Sequence, residues 1–406
     1  MKKIAVIGGG AAGMMAAIAA ARAGVEVTIL EKNERIGKKL LSTGNGKCNF
    51  SNREFSTDCY HTTDKSGLEE IFMQFSVEDT VAFFERAGML VKDRNGYLYP
   101  LSEQASTVLD ILRLELVRNK IQIEASTKVT AIQKEKKSGL FLVEANGEKK
   151  RFHSVIIACG GCAAPKTGSD GSGFDLAKNL GHHIISTVPA LVQLRCREDF
   201  FKMVGGVRCE ASLTLEADGR IQCTEQGELQ FTDYGISGIP VFQLSRTAAY
   251  LVREKKVPCV YIDFFPGYSS DEYDALCEKR WANAEGMNLE DFLLGMANKK
   301  INMMLIKQAG LKQAEAVSQL SREKIKELFS SYRRLCVHVI DTNSYDNAQV
   351  TAGGVDRKEV SLQMESLYVP GLFFAGEVMD IDGRCGGYNL QWAWTSGYIA
   401  GKNAAQ

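Results

Sequence analysis

The sequence predicts an α/β protein built on a doubly wound parallel sheet, interrupted by a β-rich module and a helical subdomain. Three observations predict it. The chain opens with an apolar run, a glycine turn, an alanine-rich stretch and a second apolar run. Residues 190–268 change to short alternating runs. Residues 271–335 then carry helical spacing with few glycines, before the opening texture returns. The expected segments are 1–189, 190–270, 271–335 and 336–406. For 406 residues, roughly 100–200 per domain gives two or three domains.

Lys3 to Ile7 have the continuous apolar pattern of a buried parallel strand. Gly8 to Gly13 form a turn, and Ala11 to Ala23 are rich in Ala and Met, which favour helix. Gly24 suits a helix end, and Val25 to Leu30 give the second strand. This is a βαβ unit. Helical periodicity continues through Leu68 to Gly88 and through Ser106 to Asn119. Ile121 to Glu144 predict strands of a meander, and Ser154 to Ala158 predict a buried strand. Leu191 to Leu194, Ala211 to Leu215, Leu229 to Thr232 and Cys259 to Phe264 are the short strands of the module. Leu372 to Ala375 close the pattern with another buried strand.

Composition sets the outer bounds. An apolar share of 45% with 24% charged residues is that of a folded globular chain, which excludes disorder and collagen-like architecture. The 49 basic and 49 acidic side chains cancel, removing the simplest argument for a nucleic-acid partner, though a local patch needs no net excess. Eleven cysteines cannot all pair within one chain and show no secreted-scaffold spacing. They predict reduced thiols and a cytoplasmic location. The apolar N-terminus, Ile4 to Ala21, imitates a signal peptide, but Gly8, Gly9, Gly10 and Gly13 interrupt it and Val25 to Leu30 follow directly. A folded element and no membrane span are therefore expected. The outlying values are 38 glycines and 7 prolines.

The glycines concentrate where a ligand would need close backbone approach. Gly8, Gly10 and Gly13 stand in the G-x-G-x-x-G spacing between strand and helix, with Glu31 ending the next strand. Gly8 permits the tight turn, Gly10 lets backbone approach a pyrophosphate, and Gly13 allows close helix–strand packing. The helix start offers N–H groups and a positive dipole end to phosphate. Glu31 suits ribose hydroxyls and disfavours a 2′-phosphate. This fingerprint alone does not separate FAD from NAD. A second motif leans to FAD: strand residues Leu372 to Ala375 run into Gly376 and Glu377, placing an acid for a polyol chain. Gly386 to Gln391 then open a last helix through Trp392 and Trp394, whose N–H groups suit a flavin pyrimidine edge.

These motifs together resemble the BaiN/RdsA flavoprotein family over essentially the whole chain. They are IGGGAAG from Ile7, GKKLLSTGNGKCN from Gly37, GELQFTDYGISG from Gly227, VTAGGV from Val350, AGEVMDIDG from Ala375 and GGYNLQ from Gly386. The resemblance implies a Rossmann-like FAD-binding domain in two parts, 1–189 and 336–406, split by a β-barrel-like insertion and a helical subdomain. It implies an FAD shell of Gly8, Gly10, Ala11, Ala12, Gly13, Glu31, Lys32, Lys39, Asn45, Gly46, Cys48 and Asn49. Val129, Ala158, Gly160, Gly376, Glu377, Gly387, Asn389 and Leu390 complete that shell. The family reduces C=C bonds conjugated to a carbonyl, in 3-oxo-Δ4,6 bile-acid intermediates or in ribosomal-RNA uracil, and also includes aminoacetone-type amine oxidases. Zero net charge and the absence of basic extensions favour a steroid-like small molecule, with ribosomal RNA as the alternative. NAD(P)H is the expected electron donor, docking without a domain of its own.

For catalysis the candidates are Lys47, to polarise a flavin or substrate oxygen, and Tyr388, to supply a proton. Tyr234 and Cys385 are further proton-donor candidates. Lys47 stands where arginine was expected, which loses bidentate geometry. Cys159 and Cys162 form a C-x-x-C, whose redox reading is the weaker one because the family has Thr-Gly-Gly there. Gly168 to Gly173 lack a preceding parallel strand and predict a helix-entry turn. The spacing of the five histidines predicts no metal.

Overall fold

The computed structural model describes residues 1–406 and divides into two compact units. The first joins Met1–Val188 to Ala348–Gln406, and the second is Pro189–Asn347. The architecture is α/β, as expected, with a parallel sheet in one unit and a closed barrel in the other.

The parallel sheet has five strands: β1 (Lys3–Ile7), β2 (Glu26–Leu30), β3 (Gln122–Glu124), β4 (Ser154–Ile157) and β5 (Leu372–Phe374). Their spatial order is β5-β4-β1-β2-β3, all neighbours parallel. The central strands are buried on both faces, as in a parallel sheet covered on both sides. A three-stranded antiparallel meander, Val129–Lys134, Phe141–Ala145 and Glu148–Phe152, lies between β3 and β4 in the chain. Residues 121–144 were expected to belong to one meander. Gln122–Glu124 instead extends the parallel sheet beside β2, and a three-residue strand shows no periodicity that would separate the two cases.

The first helix, Ala11–Arg22, and the last, Tyr388–Ala404, pack directly on each other. A Cβ at Gly397 would stand 2.5 Å from the Ala12 carbonyl oxygen, and one at Gly401 would overlap the Ala16 carbonyl. Contacts advance together along both helices, so they run parallel and their positive ends face the same way. Small residues on both sides let the backbones approach this closely. Trp392 and Trp394 are fully buried and spend their indole N–H groups on the Gly376 carbonyl (3.1 Å) and the Phe50 carbonyl (2.9 Å). One helix thereby holds both the second glycine motif and the loop before residue 51.

The expected single helix over 68–88 is two, Leu68–Gln74 and Val77–Arg86. The break is at Ser76, whose hydroxyl accepts from the Asp79 N–H while Asp79 answers to the Ser76 N–H, a capping box.

In the second unit six strands close a barrel: Leu194–Cys196, Gly235–Ser237, Arg220–Thr232, Arg208–Ala217, Cys259–Asp263 and Leu335–Thr342. The helices Ser270–Ala282, Lys299–Gln308 and Arg322–Arg333 share its apolar cluster and form no separate core. The return to the first unit, expected at 336, comes at Ala348. Leu335–Thr342 pairs with both Leu194–Cys196 and Cys259–Asp263, so the barrel stays open until that strand is laid down. No helix is long and apolar enough to cross a membrane.

The tight helix contact makes a direct prediction. Gly401→Val drives a branched side chain into the Ala16 carbonyl and lowers stability by about 1–3 kcal/mol or more. Denaturant unfolding followed by tryptophan fluorescence measures it, with the exposed Lys402→Ala expected to stay within about 0.5 kcal/mol of the parent.

Candidate functional site

The loop leaving β1 is shaped by what its glycines exclude. Gly8 has φ +104°, and a Cβ there would lie 2.5 Å from the Ala158 carbonyl oxygen. At Gly13 a Cβ would overlap the Gly8 carbonyl. Gly10 is different. Its φ of −80° suits any L-residue, and no protein atom lies within 4 Å of where its Cβ would sit. Room is held open above the helix start, and the fold itself does not require glycine there. The first-turn N–H groups of Ala11, Ala12 and Gly13 have no intrahelical acceptors. No side chain caps them, and the first turn carries no acid. A positive dipole end facing open space is a cradle for phosphate.

Glu31 is buried at the end of β2, but its carboxylate is largely engaged. Oε2 accepts from the Gly9 N–H at 2.7 Å, and Oε1 accepts from the Asn33 N–H and Nδ2, both at 2.8 Å. It ties the glycine loop to the next loop and keeps acceptor capacity for about one further donor, such as a ribose hydroxyl. Asn33 is a site residue that the sequence reading missed; its Nδ2 also reaches the Thr167 carbonyl at 3.1 Å. Lys32 pairs with Asp170 at 2.6 Å. Burial works to raise the Asp170 carboxyl, but Lys32 and Ser172 outweigh it and hold it at about 2.

The second glycine motif sits on the first turn of the first helix. A Cβ at Gly376 would be 2.7 Å from the Ala12 Cβ. Its N–H donates to Ser396 Oγ at 2.9 Å. Beside it Glu377 joins two expected residues: Lys39 Nζ lies 2.7 Å from Oε2, while Oε1 accepts the Thr351 N–H at 3.1 Å. Thr351 Oγ1 in turn accepts from the N–H groups of Cys162 (2.7 Å) and Ala163 (2.9 Å). Thr351 belongs to a quoted motif, yet without the fold nothing connects it to Glu377. Lys39 and Glu377 are both partly exposed, so this ion pair is a polar wall open on one side.

The last helix starts at Gly387, where φ is +93° and a Cβ would stand 2.5 Å from the Ser51 carbonyl oxygen and 2.9 Å from Asn49 Oδ1. It too lacks a side-chain cap and a first-turn acid. Asn49 Oδ1 is buried with no donor. A buried acceptor without a partner costs about 1–3 kcal/mol, and a donor on a bound cofactor, such as a flavin imide or ribityl hydroxyl, would satisfy it. Gly44, Asn45 and Gly46 run left-handed (φ 55°, 52° and 83°) in an exposed loop, with Lys47 beside them. Lys47 Nζ lies 3.5 Å from Glu103, a carboxylate that Lys92 and Arg94 also hold and that they keep down at about 2.

Other expected residues occupy the same unit. Ala158 is buried against Gly8, and Gly160, with φ +72°, has Ser169 Oγ 2.9 Å from its absent Cβ. Val129 is buried at the start of the meander, and Leu390 is half-buried on the last helix. Asn389 spends its side chain on the chain itself: Oδ1 accepts from the Gly383 N–H at 2.8 Å and Nδ2 donates to the Gly383 carbonyl at 2.7 Å. Cys48 is fully buried, and burial pushes its thiol up to about 12.

Tyr388, the proton-donor candidate, has its hydroxyl turned toward the chain itself. Its hydroxyl donates to the Glu54 carbonyl at 3.0 Å, and burial raises its phenol well above the ordinary value. Its carbonyl accepts the Tyr60 hydroxyl at 3.0 Å. In this arrangement the phenol braces the loop. The C-x-x-C thiols are equally poor redox candidates. Cys159 donates to the Ile7 carbonyl at 3.4 Å, and burial raises it to about 12; Cys162 is raised as well, again by burial first. A reactive cysteine needs the opposite environment.

Comparison with known proteins decides the family. The model of the HI0933-like protein Rossmann domain matches residues 2–403. The chain belongs to this family. The HI0933-like chain is 41% identical over 409 aligned residues to the 3-dehydro-bile acid delta(4,6)-reductase of Clostridium scindens, covering 100% of both chains. It is 28% identical to the ribosomal RNA dihydrouridine synthase of Haemophilus influenzae, covering 97% of this chain and 96% of that one. These relatives bear out the family resemblance read from the motifs. Among solved structures, the 3-ketosteroid-delta4-(5alpha)-dehydrogenase of Rhodococcus jostii superposes with a TM-score of 0.50 at 16% identity, covering 100% of this chain and 97% of that chain. At that identity the likeness concerns the fold. An open cradle at Gly10, two uncapped helix starts and an orphaned Asn49 acceptor fit FAD.

Two outcomes follow for this HI0933-like site. Gly10→Ala costs the apo fold less than about 1 kcal/mol but weakens FAD binding at least about tenfold, since every 1.4 kcal/mol of lost approach is tenfold; flavin titration against apo-protein melting separates the two. Replacing Cys159 and Cys162 together by Ser leaves turnover within about twofold, because neither thiol has the lowered pKa that thiolate chemistry needs; steady-state rates of the double variant check it.

Proposed function

We propose that this chain is an FAD-dependent reductase of a C=C bond conjugated to a carbonyl, acting on a 3-oxo-Δ4,6 bile-acid-type steroid with hydride derived from NAD(P)H. The observation that carries the substrate is the 41% identity along the full length of both chains to the bile-acid delta(4,6)-reductase, against 28% to the ribosomal RNA dihydrouridine synthase. The neutral charge balance supports a small amphipathic ligand over a polyanion.

FAD, when bound, supplies two-electron hydride chemistry. In the overall reaction the β carbon gains hydride and the α carbon gains a proton, while NAD(P)H becomes NAD(P)⁺. The chain's own groups do the binding and the electrostatic work. The N–H groups of Ala11, Ala12 and Gly13 would hold a diphosphate. Glu31 keeps the glycine loop in place and accepts one sugar hydroxyl. Lys39 and Glu377 face a polyol chain with one donor and one acceptor side. The uncapped start of the last helix favours negative charge developing beside it. Lys47, exposed on the left-handed loop, is the cation free to turn from Glu103 toward a carbonyl oxygen.

Ribosomal RNA remains the second reading, because uracil presents the same conjugated bond and relatives at 28% identity from Haemophilus influenzae and Escherichia coli carry that name. Anaerobic mixing of the flavin-loaded protein with NADH or NADPH and a 3-oxo-Δ4,6 steroid is expected to yield a product heavier by two hydrogens. Absence of that product, together with loss of ribosomal-RNA dihydrouridine on gene deletion, would shift the assignment to RNA. In the same assay Lys47→Met is expected to lower kcat/KM about 10–1000-fold, the range of one lost electrostatic contact to a developing oxyanion.

A further inference from the structure

The barrel carries a cluster of side chains unrelated to the glycine loops. Cys259 and the strand Leu335–Thr342 are paired antiparallel, with Cys259 opposite His338 and Tyr261 opposite Cys336. Residues opposite one another, and residues two apart along a strand, share a face of a sheet. Val260, Ile262, Val337 and Val339 are fully buried and point into the barrel. Cys259, Cys336 and His338 therefore share its outer face, where all three are half-buried. Their two sulfurs and one imidazole nitrogen lie within 4.8 Å of one another.

A fourth residue organises the histidine. Glu198 follows the barrel strand Leu194–Cys196 and places Oε1 2.7 Å from His338 Nδ1 and 2.9 Å from the His338 backbone N–H. A carboxylate on Nδ1 fixes the proton there and leaves the Nε2 lone pair available. The same carboxylate–imidazole pairing orients histidines that bind metals. Glu198 Oε2 is buried without a partner, so the carboxylate is not placed there merely to complete its own hydrogen bonds.

We propose that Cys259, Cys336 and His338 bind one zinc ion on the outer face of the barrel, oriented by Glu198 and with the fourth coordination position open to solvent. Two thiolates and an imidazole form a soft-to-borderline donor set, which selects zinc over the oxygen-seeking magnesium and calcium. Binding replaces the two thiol protons, which leave to solvent, so no oxidant or reductant is involved. The ion would cross-link two barrel strands that the chain reaches at opposite ends of the helical segment. His338 is 40% exposed, so the open position is accessible to water or to a small ligand. The sequence reading found no metal pattern because only Cys336 and His338 are near in sequence. The third ligand arrives through strand register.

The test uses full-length, flavin-loaded protein with reduced thiols, stripped by chelator and given one equivalent of zinc before dialysis. Elemental analysis is expected to find one zinc per chain, and zinc-edge X-ray absorption two sulfur neighbours at about 2.3 Å. Cys259→Ser and Cys336→Ser should each lose the ion, whereas Cys223→Ser should keep it. Glu198→Gln should weaken zinc about 10–100-fold. Because the cluster lies in the Pro189–Asn347 unit, far-ultraviolet circular dichroism and an unchanged cooperative melt, rather than flavin absorbance, show that the barrel of each variant is folded. Zinc held equally well by the Cys259→Ser/Cys336→Ser double variant, or bound with no sulfur neighbours, overturns the proposal. So does a reduced parent protein that takes up no zinc.

Discussion

The close parallel contact between the first and last helices is the constraint on which the cofactor unit depends. With Gly397 and Gly401 set against backbone carbonyls of Ala12 and Ala16, the two helices approach nearer than ordinary side chains allow. Two consequences follow from this one contact. The positive ends of both helices are brought to the same side, and Gly376 is pressed onto Ala12, so both glycine motifs border one space. Trp392, Trp394 and Ser396 then lock the surrounding loops through single hydrogen bonds to Gly376 and Phe50. Binding groups drawn from opposite ends of the chain need such a rigid mount, because a cradle made of backbone N–H groups has no side-chain freedom with which to correct an error.

Much of this was legible in the sequence, for reasons that are local. The spacing of Gly8, Gly10 and Gly13 becomes specific through its context, an apolar strand before and a helix after, and β1, β2 and the first helix follow from short apolar and alanine-rich runs. The break between the helices at Leu68–Gln74 and Val77–Arg86 was also written locally, in Ser76 and Asp79, but apolar periodicity across it concealed the cap. What was not legible depends on partners distant in sequence. Leu335–Thr342 has the same apolar texture as a sheet strand, and only its pairing with Leu194–Cys196 and Cys259–Asp263 makes it the closing stave of the barrel. Glu31 looked like a ribose ligand because of its position; that the loop itself claims most of its carboxylate required knowing where Gly9 and Asn33 lie.

Residue chemistry also proved a weaker guide than environment. Tyr388 and the Cys159–Cys162 pair are reactive residue types near the expected cofactor, yet Tyr388 and Cys159 donate to backbone carbonyls, and desolvation shifts all three groups away from ionisation. Lys39 and Glu377, by contrast, come together at the wall of the site although most of the chain separates them. Thr351 connects that wall to the backbone of Cys162 and Ala163, which explains how a conspicuous glycine pair at Gly160 and Gly161 is held in place without its neighbouring thiols taking part.

The same helix contact has a temporal side. The barrel unit is one continuous stretch, Pro189–Asn347, and all its pairings can form once that stretch has left the ribosome. The cofactor unit cannot finish so early: its first helix is made near the start and meets its partner only when residues 388–404 emerge. Non-local pairing of this kind delays folding and leaves apolar surface waiting. The inserted unit is thus positioned to be native first, and the cofactor cradle, which needs both helices, can close only after residues 388–404 have followed it.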